Sequence, residues 1–111
     1  GFTAVLTGCA TSPNGAAIYT AAAGIVALYF PAISGVSSSA AATLTGLPQE
    51  IWPQRNQYCV ARITDNGTTA FGLVLVTSAG AVTLYPTAAA GAFTAAGTKG
   101  IAECTIHYAL D

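Results

Sequence analysis

The stretch that decides the fold is Gln57–Pro86, which reads QYCVARIT-DNGT-TAFGLVLV-TSAG-AVTLYP. Two turn signals divide it into three short apolar segments. Asn66-Gly67 supplies two residues that tolerate a positive φ, as a type I′ hairpin turn requires. Ala79-Gly80 is a weaker signal, in which Gly80 is the residue most able to adopt the left-handed conformation. The stretch therefore predicts a three-stranded antiparallel meander.

Two-residue loops at both turns would fix the register of this meander. At the first turn the expected pairs are Ile63–Ala70, Ala61–Gly72, Cys59–Val74, Arg62–Phe71, Val60–Leu73 and Tyr58–Leu75. At the second turn they are Leu75–Leu84 and Val76–Thr83. Side chains alternate between the two faces of a strand, so the pairs separate into a bulky face and a small face. The bulky face is the expected core: Tyr58, Val60, Phe71, Leu73, Leu75 and Leu84.

The composition is unusual for a soluble domain. The chain has 111 residues, of which 53% are hydrophobic and only 6% are charged, whereas an ordinary soluble domain is about 25% charged. A folded chain of this mass exposes roughly 5,600 Å². We therefore expect one domain, residues 1–111, whose apolar surface is partly covered by other subunits.

The charges exclude some partners. The three basic residues, Arg55, Arg62 and Lys99, and a net charge of -1 do not make the basic stripe that nucleic-acid binding needs. No apolar run has the length of a membrane span, so no membrane insertion is expected. Three widely spaced cysteines fit neither a metal site nor a disulfide framework. We interpret them as free thiols, with one disulfide plus one free thiol as the alternative.

The rest of the chain continues the β pattern. Turn residues and Gly/Pro pairs separate short segments with β alternation, and the Pro-bounded Gly46–Pro53 connection does not favour a regular helix. About eight strands and no helical period predict an all-β fold, an antiparallel β-sandwich with a jelly roll as the expected topology. The expected strands are 2–8, 16–22, 25–30, 41–45, 57–64, 69–76, 81–86 and 101–110.

Two of these strands are apolar on both faces. Such strands are buried on both sides or contact a partner. We therefore expect a subunit interface that includes five residues of these strands: Ile25, Ala27, Tyr29, Val74 and Val76.

The order of the turn motifs resembles the C-terminal β-sandwich domains of bacteriophage tail spikes and tail fibres. The motifs in order are Phe2-Thr3, Thr11-Ser-Pro-Asn-Gly15, a strand with Tyr19, Gly24 before an apolar strand ending at Pro31, Ile33-Ser34-Gly35, Thr45-Gly46-Leu47-Pro48, Asp65-Asn66-Gly67, Phe93-Thr94, Gly97-Thr98-Lys99-Gly100 and Thr105-Ile106-His107-Tyr108. They span nearly the whole chain.

This resemblance implies a homotrimer at the tip of a longer fibrous protein of the virion, assembled in the cytoplasm of the bacterial host. It implies a role in trimerisation and capping, and a contribution to recognition of host-surface polysaccharide. In tail spikes that cleave polysaccharide, the resemblance places the active site in another part of the protein, on a central β-helix.

No catalytic, cofactor or metal site is expected within the chain. Glu103 and His107 are four residues apart on one strand, which separates them by roughly 13 Å. No two carboxylates share an element as a glycosidase pair would, so we do not expect an enzyme. The only histidine, His107, is interpreted as a solvated or interface residue. The alternative is that three copies meet at a threefold axis and bind a metal or respond to pH there.

Exposed aromatic residues are the candidates for a glycan site, because a sugar ring stacks on an aromatic face while polar neighbours bind its hydroxyls. The candidates are Trp52, Tyr19 and Tyr85. For Trp52 the expected role is to anchor the loop between two prolines, and glycan binding is the alternative.

Overall fold

The computed structural model describes all residues 1–111 and contains ten strands and a single 3-10 turn, Gln49–Ile51. No helix is long and apolar enough to cross a membrane. The strands are β1 Phe2–Leu6, β2 Asn14–Ala22, β3 Ile25–Phe30, β4 Ile33–Val36, β5 Thr43–Thr45, β6 Gln57–Asp65, β7 Thr68–Val76, β8 Val82–Tyr85, β9 Thr98–Ile101 and β10 Cys104–Ala109.

All strand pairs are antiparallel, and the strands form one sheet in the order β10-β3-β2-β1-β5-β8-β7-β6-β9-β4. The sheet curls into a half-barrel around one hydrophobic core. The expected all-β antiparallel class is confirmed. The sandwich and its jelly-roll topology are not confirmed, because the ladders join all strands into a single sheet.

The hairpin with the type I′ signal forms as the sequence predicts. Asn66 and Gly67 have φ values of 48° and 79°, and all six expected pairs between β6 and β7 are present. Ala23 and Gly24 likewise have positive φ values of 53° and 80°, and they connect β2 to β3 at the pair Ala22–Ile25. Local turn chemistry therefore determines both registers.

The register at the second turn of the meander was predicted wrongly by one residue. Val76 pairs with Val82, and Leu84 lies opposite Val74 instead of Leu75. The loop contains three residues, because the Thr77 amide donates to the Ala81 carbonyl at 2.9 Å and Gly80, at φ 82°, is the third loop residue. The extra residue transfers Leu84 to the opposite face of the sheet.

Two strands of the structure were not predicted from the sequence. β4 and β9 pair with each other from Ile33–Ile101 to Val36–Thr98, in segments whose Gly, Ser and Thr content indicates loops. The expected last strand, 101–110, is interrupted at Ala102-Glu103. The chain changes there from pairing with β4 and β6 to pairing with β3.

The face expected to form the core is the wrong one. The small face of β6 and β7 is buried, with Val74 and Val76 at 0% exposure, whereas most of the bulky face lies outside. The inner face is crowded: a β-carbon on Gly72 would overlap the Tyr85 carbonyl oxygen and approach Ile63 Cγ1. Only small and β-branched residues fit there.

The two halves of the sheet meet where β10 lies beside β6, and side chains make the hydrogen bonds between them. The Gln57 amide donates to the Ala109 carbonyl, and its Oε1 accepts from the Ala109 amide at 2.9 Å. The Cys59 thiol donates to the His107 carbonyl at 3.4 Å. Side chains thus replace backbone ladder bonds at this contact.

Replacing the Gln57 side chain tests this contact. In Gln57→Ala the half-buried Ala109 loses both hydrogen-bond partners, so we expect the free energy of unfolding to fall by about 1–3 kcal/mol. Urea unfolding followed by tryptophan fluorescence measures the loss. Gln54→Ala, which removes an exposed amide nearby, is the matched control and should cost less than about 0.5 kcal/mol. Equal losses in the two variants would contradict the assigned role.

Tyr108 makes the stability of the fold decrease at alkaline pH. Its ring is buried, its hydroxyl donates to the Ile51 carbonyl at 2.7 Å, and burial raises its pKa to about 12, against about 10 in an unfolded chain. The unfolded state therefore loses its proton first. The stabilisation is complete below pH 10 and is lost as pH rises through 12, by about 2–3 kcal/mol in total.

We expect Tyr108→Phe to have a shallower decrease of stability between pH 10 and pH 12 than the wild type. Tyr19 and Tyr29 also have raised pKa values and contribute in both proteins, so the difference between the two curves isolates Tyr108. Urea midpoints across this range measure it. Parallel curves would show that the Tyr108 proton is not linked to folding.

Candidate interaction surface

The outward side of the meander is a contiguous apolar surface, here called the outer patch. Its three most exposed members are Tyr58, Val60 and Phe71, at 59%, 67% and 72% exposure. The side chains of Leu73, Leu75 and Tyr85 are half-buried and complete it. These positions alternate with the buried ones along β6, β7 and β8, so one register places all six on the same side.

The outer patch contains aromatic contacts and is bordered by one charge. The rings of Tyr58 and Tyr85 lie 6.5 Å apart at an angle of 41°. Arg62 lies opposite Phe71 in the register and is exposed. The combination of aromatic residues with an arginine is typical of the centres of protein interfaces.

The extent of the exposed apolar surface is large for a chain of this size. Tyr58, Val60 and Phe71 expose on the order of 400 Å², as much as the largest patch of a typical monomer. The whole chain exposes 5295 Å², close to the expectation for a compact monomer of its mass. One copy therefore encloses a core by itself, and the apolar excess lies on its outside.

The expected interface residues separate into two groups. Val74 and Val76 pack in the chain's own core, where they are not accessible to another subunit. Ile25, Ala27 and Tyr29 lie on the outward side of β3, and Ile25 is 48% exposed. The Tyr29 hydroxyl donates to Glu103 Oε2 at 2.7 Å, and this bond raises the Tyr29 pKa.

Trp52 anchors its loop and also borders a cavity. Its Nε1 donates to the Leu47 carbonyl at 2.9 Å, and a β-carbon on Gly80 would overlap the indole, so the ring packs directly against that backbone. These contacts are those expected of a side chain that anchors the loop. Beside the ring is a cavity of about 270 Å³ whose wall includes the hydroxyl-bearing residues Thr43 and Thr45.

The other two glycan candidates lie elsewhere. Tyr85 borders a second cavity, of about 300 Å³, between β8 and the segment 90–92. Tyr19 borders neither cavity. Its hydroxyl donates to Glu50, which raises the Tyr19 pKa and ties β2 to the 3-10 turn. The structure therefore does not combine the three aromatic residues into one site.

Sequence reasoning missed a buried lysine. Lys99 has 0% exposure, and its ammonium donates to the carbonyls of Ser39 and Ala41 at 2.9 and 2.7 Å. It also lies 5.2 Å from the centre of the Phe93 ring. Burial lowers the Lys99 pKa, while Cys9 and Asp65 act in the opposite direction. A lone lysine in a polar segment carries no sequence signal for burial, because lysine is usually exposed.

Three of the four carboxylates have tyrosine or threonine partners. Glu50 accepts from Tyr19 and Glu103 accepts from Tyr29. Asp65, expected to be a turn residue, accepts from the Thr94 amide and hydroxyl at 2.9 and 3.1 Å. It thereby holds the loop before β9.

The remaining polar candidates are dispersed. His107 is exposed on β10, opposite Ala27. Cys9, Cys59 and Cys104 are free thiols, each half-buried, and burial raises the pKa of Cys59 and Cys104. No three His, Cys, Asp or Glu side chains lie close enough together to bind a metal ion.

Comparison with models of known protein families finds no match, and no curated protein sequence is significantly similar to the chain.

Proposed function

We propose that the chain is a trimerisation and capping domain at the C-terminal tip of a bacteriophage tail spike or tail fibre. The observation that carries the proposal is the outer patch, which exposes Phe71 and its neighbours outside a complete core. The order of the turn motifs, which resembles that of tail-spike and tail-fibre tips, supplies the context of a virion.

Self-association explains the composition. The chain has only seven charged side chains, and one of them, Lys99, is buried. A surface with so few charges and an apolar sheet face has little protection against non-specific contacts if it stays exposed. Burial between identical copies removes that surface from water, and homo-oligomer interfaces are more apolar than the rest of the surface. The outward residues of β3, Ile25, Ala27 and Tyr29, are a second contact surface in this proposal.

The same proposal includes a sandwich-like fold, a location in the virion and assembly in the host cytoplasm. It is supported by the close approach of β10 to β6 through Gln57 and Cys59, which brings the two halves of the sheet together around the core. The free thiols suit folding in a reducing compartment.

A structural role, and no catalytic role, is proposed for the chain. The carboxylates that an enzyme of this class would use as acid and base are engaged in hydrogen bonds that hold loops and strands: Glu50, Asp65 and Glu103. Within one chain they anchor different parts of the fold.

The proposal predicts a stable trimer. Light scattering of the wild type should give three times the chain mass of 11.0 kDa at micromolar concentration. Phe71→Ser should keep the thermal stability within a few degrees, since the side chain is exposed, and should weaken association at least tenfold. Association of Ile25→Ser, measured in the same way, tests whether the second contact surface on β3 contributes.

The matched control is Val36→Ser, which removes a residue of similar exposure, 60%, on β4. It should leave the trimer unchanged. A wild type that stays monomeric at micromolar concentration, or a Phe71→Ser protein that associates as well as the Val36→Ser protein, would exclude the outer patch as the assembly surface.

A second candidate function is binding of a host-surface glycan beside Trp52. The observation that favours it is the cavity in which the half-buried indole lies near the threonines of β5. Such an arrangement offers a ring face for stacking. The Thr43 and Thr45 hydroxyls already bond to the Thr7 hydroxyl and the Val5 carbonyl, and they keep lone pairs that can accept from a sugar.

Conservative and severe changes at Trp52 separate anchoring from glycan binding. Trp52→Phe loses the bond to the Leu47 carbonyl and should destabilise the fold by about 1 kcal/mol, whereas Trp52→Ala should cost about 3 kcal/mol. A glycan array measures binding of host polysaccharide fragments to the wild type, Trp52→Phe and Phe71→Ser. Binding that weakens in Trp52→Phe alone supports the glycan site, and equal binding by all three proteins removes it.

A further inference from the structure

We infer that the Phe71 ring of one copy inserts into the cavity beside Tyr85 of the next copy. This inference rests on the proposed self-assembly and specifies how the copies contact each other. Phe71 is the most exposed large hydrophobic residue of the chain. It is absent from the lining of its own chain's cavity.

The cavity beside Tyr85 has the chemistry of a socket for an aromatic ring. Seven of its nine lining residues are hydrophobic and none is charged, and its walls include Ala40, Ala42, Leu84, Tyr85, Ala90 and Ala92. Its volume of about 300 Å³ is at the small end of the range for ligand pockets. With so few polar groups, the lining favours a hydrocarbon ring over a ligand rich in hydroxyl or phosphate groups.

The socket is continuous with the outer patch. Tyr85 belongs to both, because its ring lies beside Tyr58 on the patch and it also borders the cavity. On β7, Phe71 is two residues from Leu73, the partner of Tyr85 in the register. An inserted ring would therefore bring the surrounding patch residues of both copies into contact, which adds buried area to the insertion itself.

The separate positions of the Phe71 ring and the cavity beside Tyr85 restrict the symmetry that the assembly can have. Phe71 and the cavity are different places on the chain, so the copies either pair about a twofold axis with both rings inserted reciprocally or contact one another head to tail. We propose the head-to-tail arrangement, in which each Phe71 enters the cavity of the next copy. Contacts of this kind form a closed ring when the rotation between copies is the right one. A trimer is such a ring, with each copy donating one Phe71 and accepting another.

Charge substitutions on the two sides test the insertion. Phe71→Glu places a carboxylate on the inserted side chain, and Ala92→Lys places an ammonium at the exposed wall of the socket. We expect each single variant to weaken association at least tenfold, because each buries an unpaired charge. The double variant pairs the new charges between copies and should regain at least part of the lost affinity.

Salt dependence and folding controls complete the experiment. Association of the double variant should weaken in 1 M salt, whereas that of the wild type should not, because only the former depends on an ion pair. Circular dichroism melts establish that each variant is folded. Ala92→Phe, which fills the socket without adding charge, should also prevent association.

The outcomes distinguish this inference from the proposed function. A monomeric wild type overturns both. A trimeric wild type that is unaffected by Ala92→Phe and Ala92→Lys overturns the insertion and leaves the trimer standing. Loss of assembly in both single variants with no recovery in the double variant also overturns it, since the two new charges then do not meet between copies.

Discussion

The lack of space on the inner face of β7 determines which residues lie outside. At Gly72 there is no room for a β-carbon, because the Tyr85 carbonyl and the Ile63 side chain occupy that position. The interior is closely packed, and its aromatic side chains, Phe30, Phe93 and Tyr108, come from other parts of the chain. With Gly72 and Val74 facing inward, alternation along β7 places Phe71 on the convex side. The outer patch is thus a consequence of the register that puts Gly72 at the crowded inward position.

The chemistry of local turns predicted much of the fold. The parts that depend on packing between distant segments were not predicted from the sequence. The Asn66-Gly67 signal predicted its hairpin because a type I′ turn needs two residues with positive φ. The register at the Gly80 turn was predicted wrongly because a glycine that closes a three-residue loop cannot be distinguished in sequence from one in a two-residue loop. β4 and β9 were missed because pairing between distant segments, and not local propensity, makes them strands.

The candidate interaction surface likewise combines features that are predictable from local sequence with features that depend on long-range packing. The sequence grouped Tyr58, Val60 and Phe71 correctly on one face, because alternation along a strand is a local property. It could not determine whether that face was inside, since both faces are apolar and the size of the side chains does not show which face the other strands cover. Similarly, the burial of Lys99 depends on the carbonyls of Ser39 and Ala41, about sixty residues away, and on the Phe93 ring. No pattern within its own segment contains that information.

The edges of the sheet favour association through side chains over association through strands. The end of β4 is capped by a bridge between Cys9 and Ser37, in which the Ala10 amide donates to the Val36 carbonyl and the Ser38 amide donates to the Gly8 carbonyl, both at 2.9 Å. The edge of β10 is occupied by the side chains of Gln57 and Cys59. Covered edges disfavour the addition of a strand from another chain. Because parts of both edges are already bonded within the chain while the convex face exposes aromatic rings, the convex face is better suited than an edge to the contact between copies that we propose.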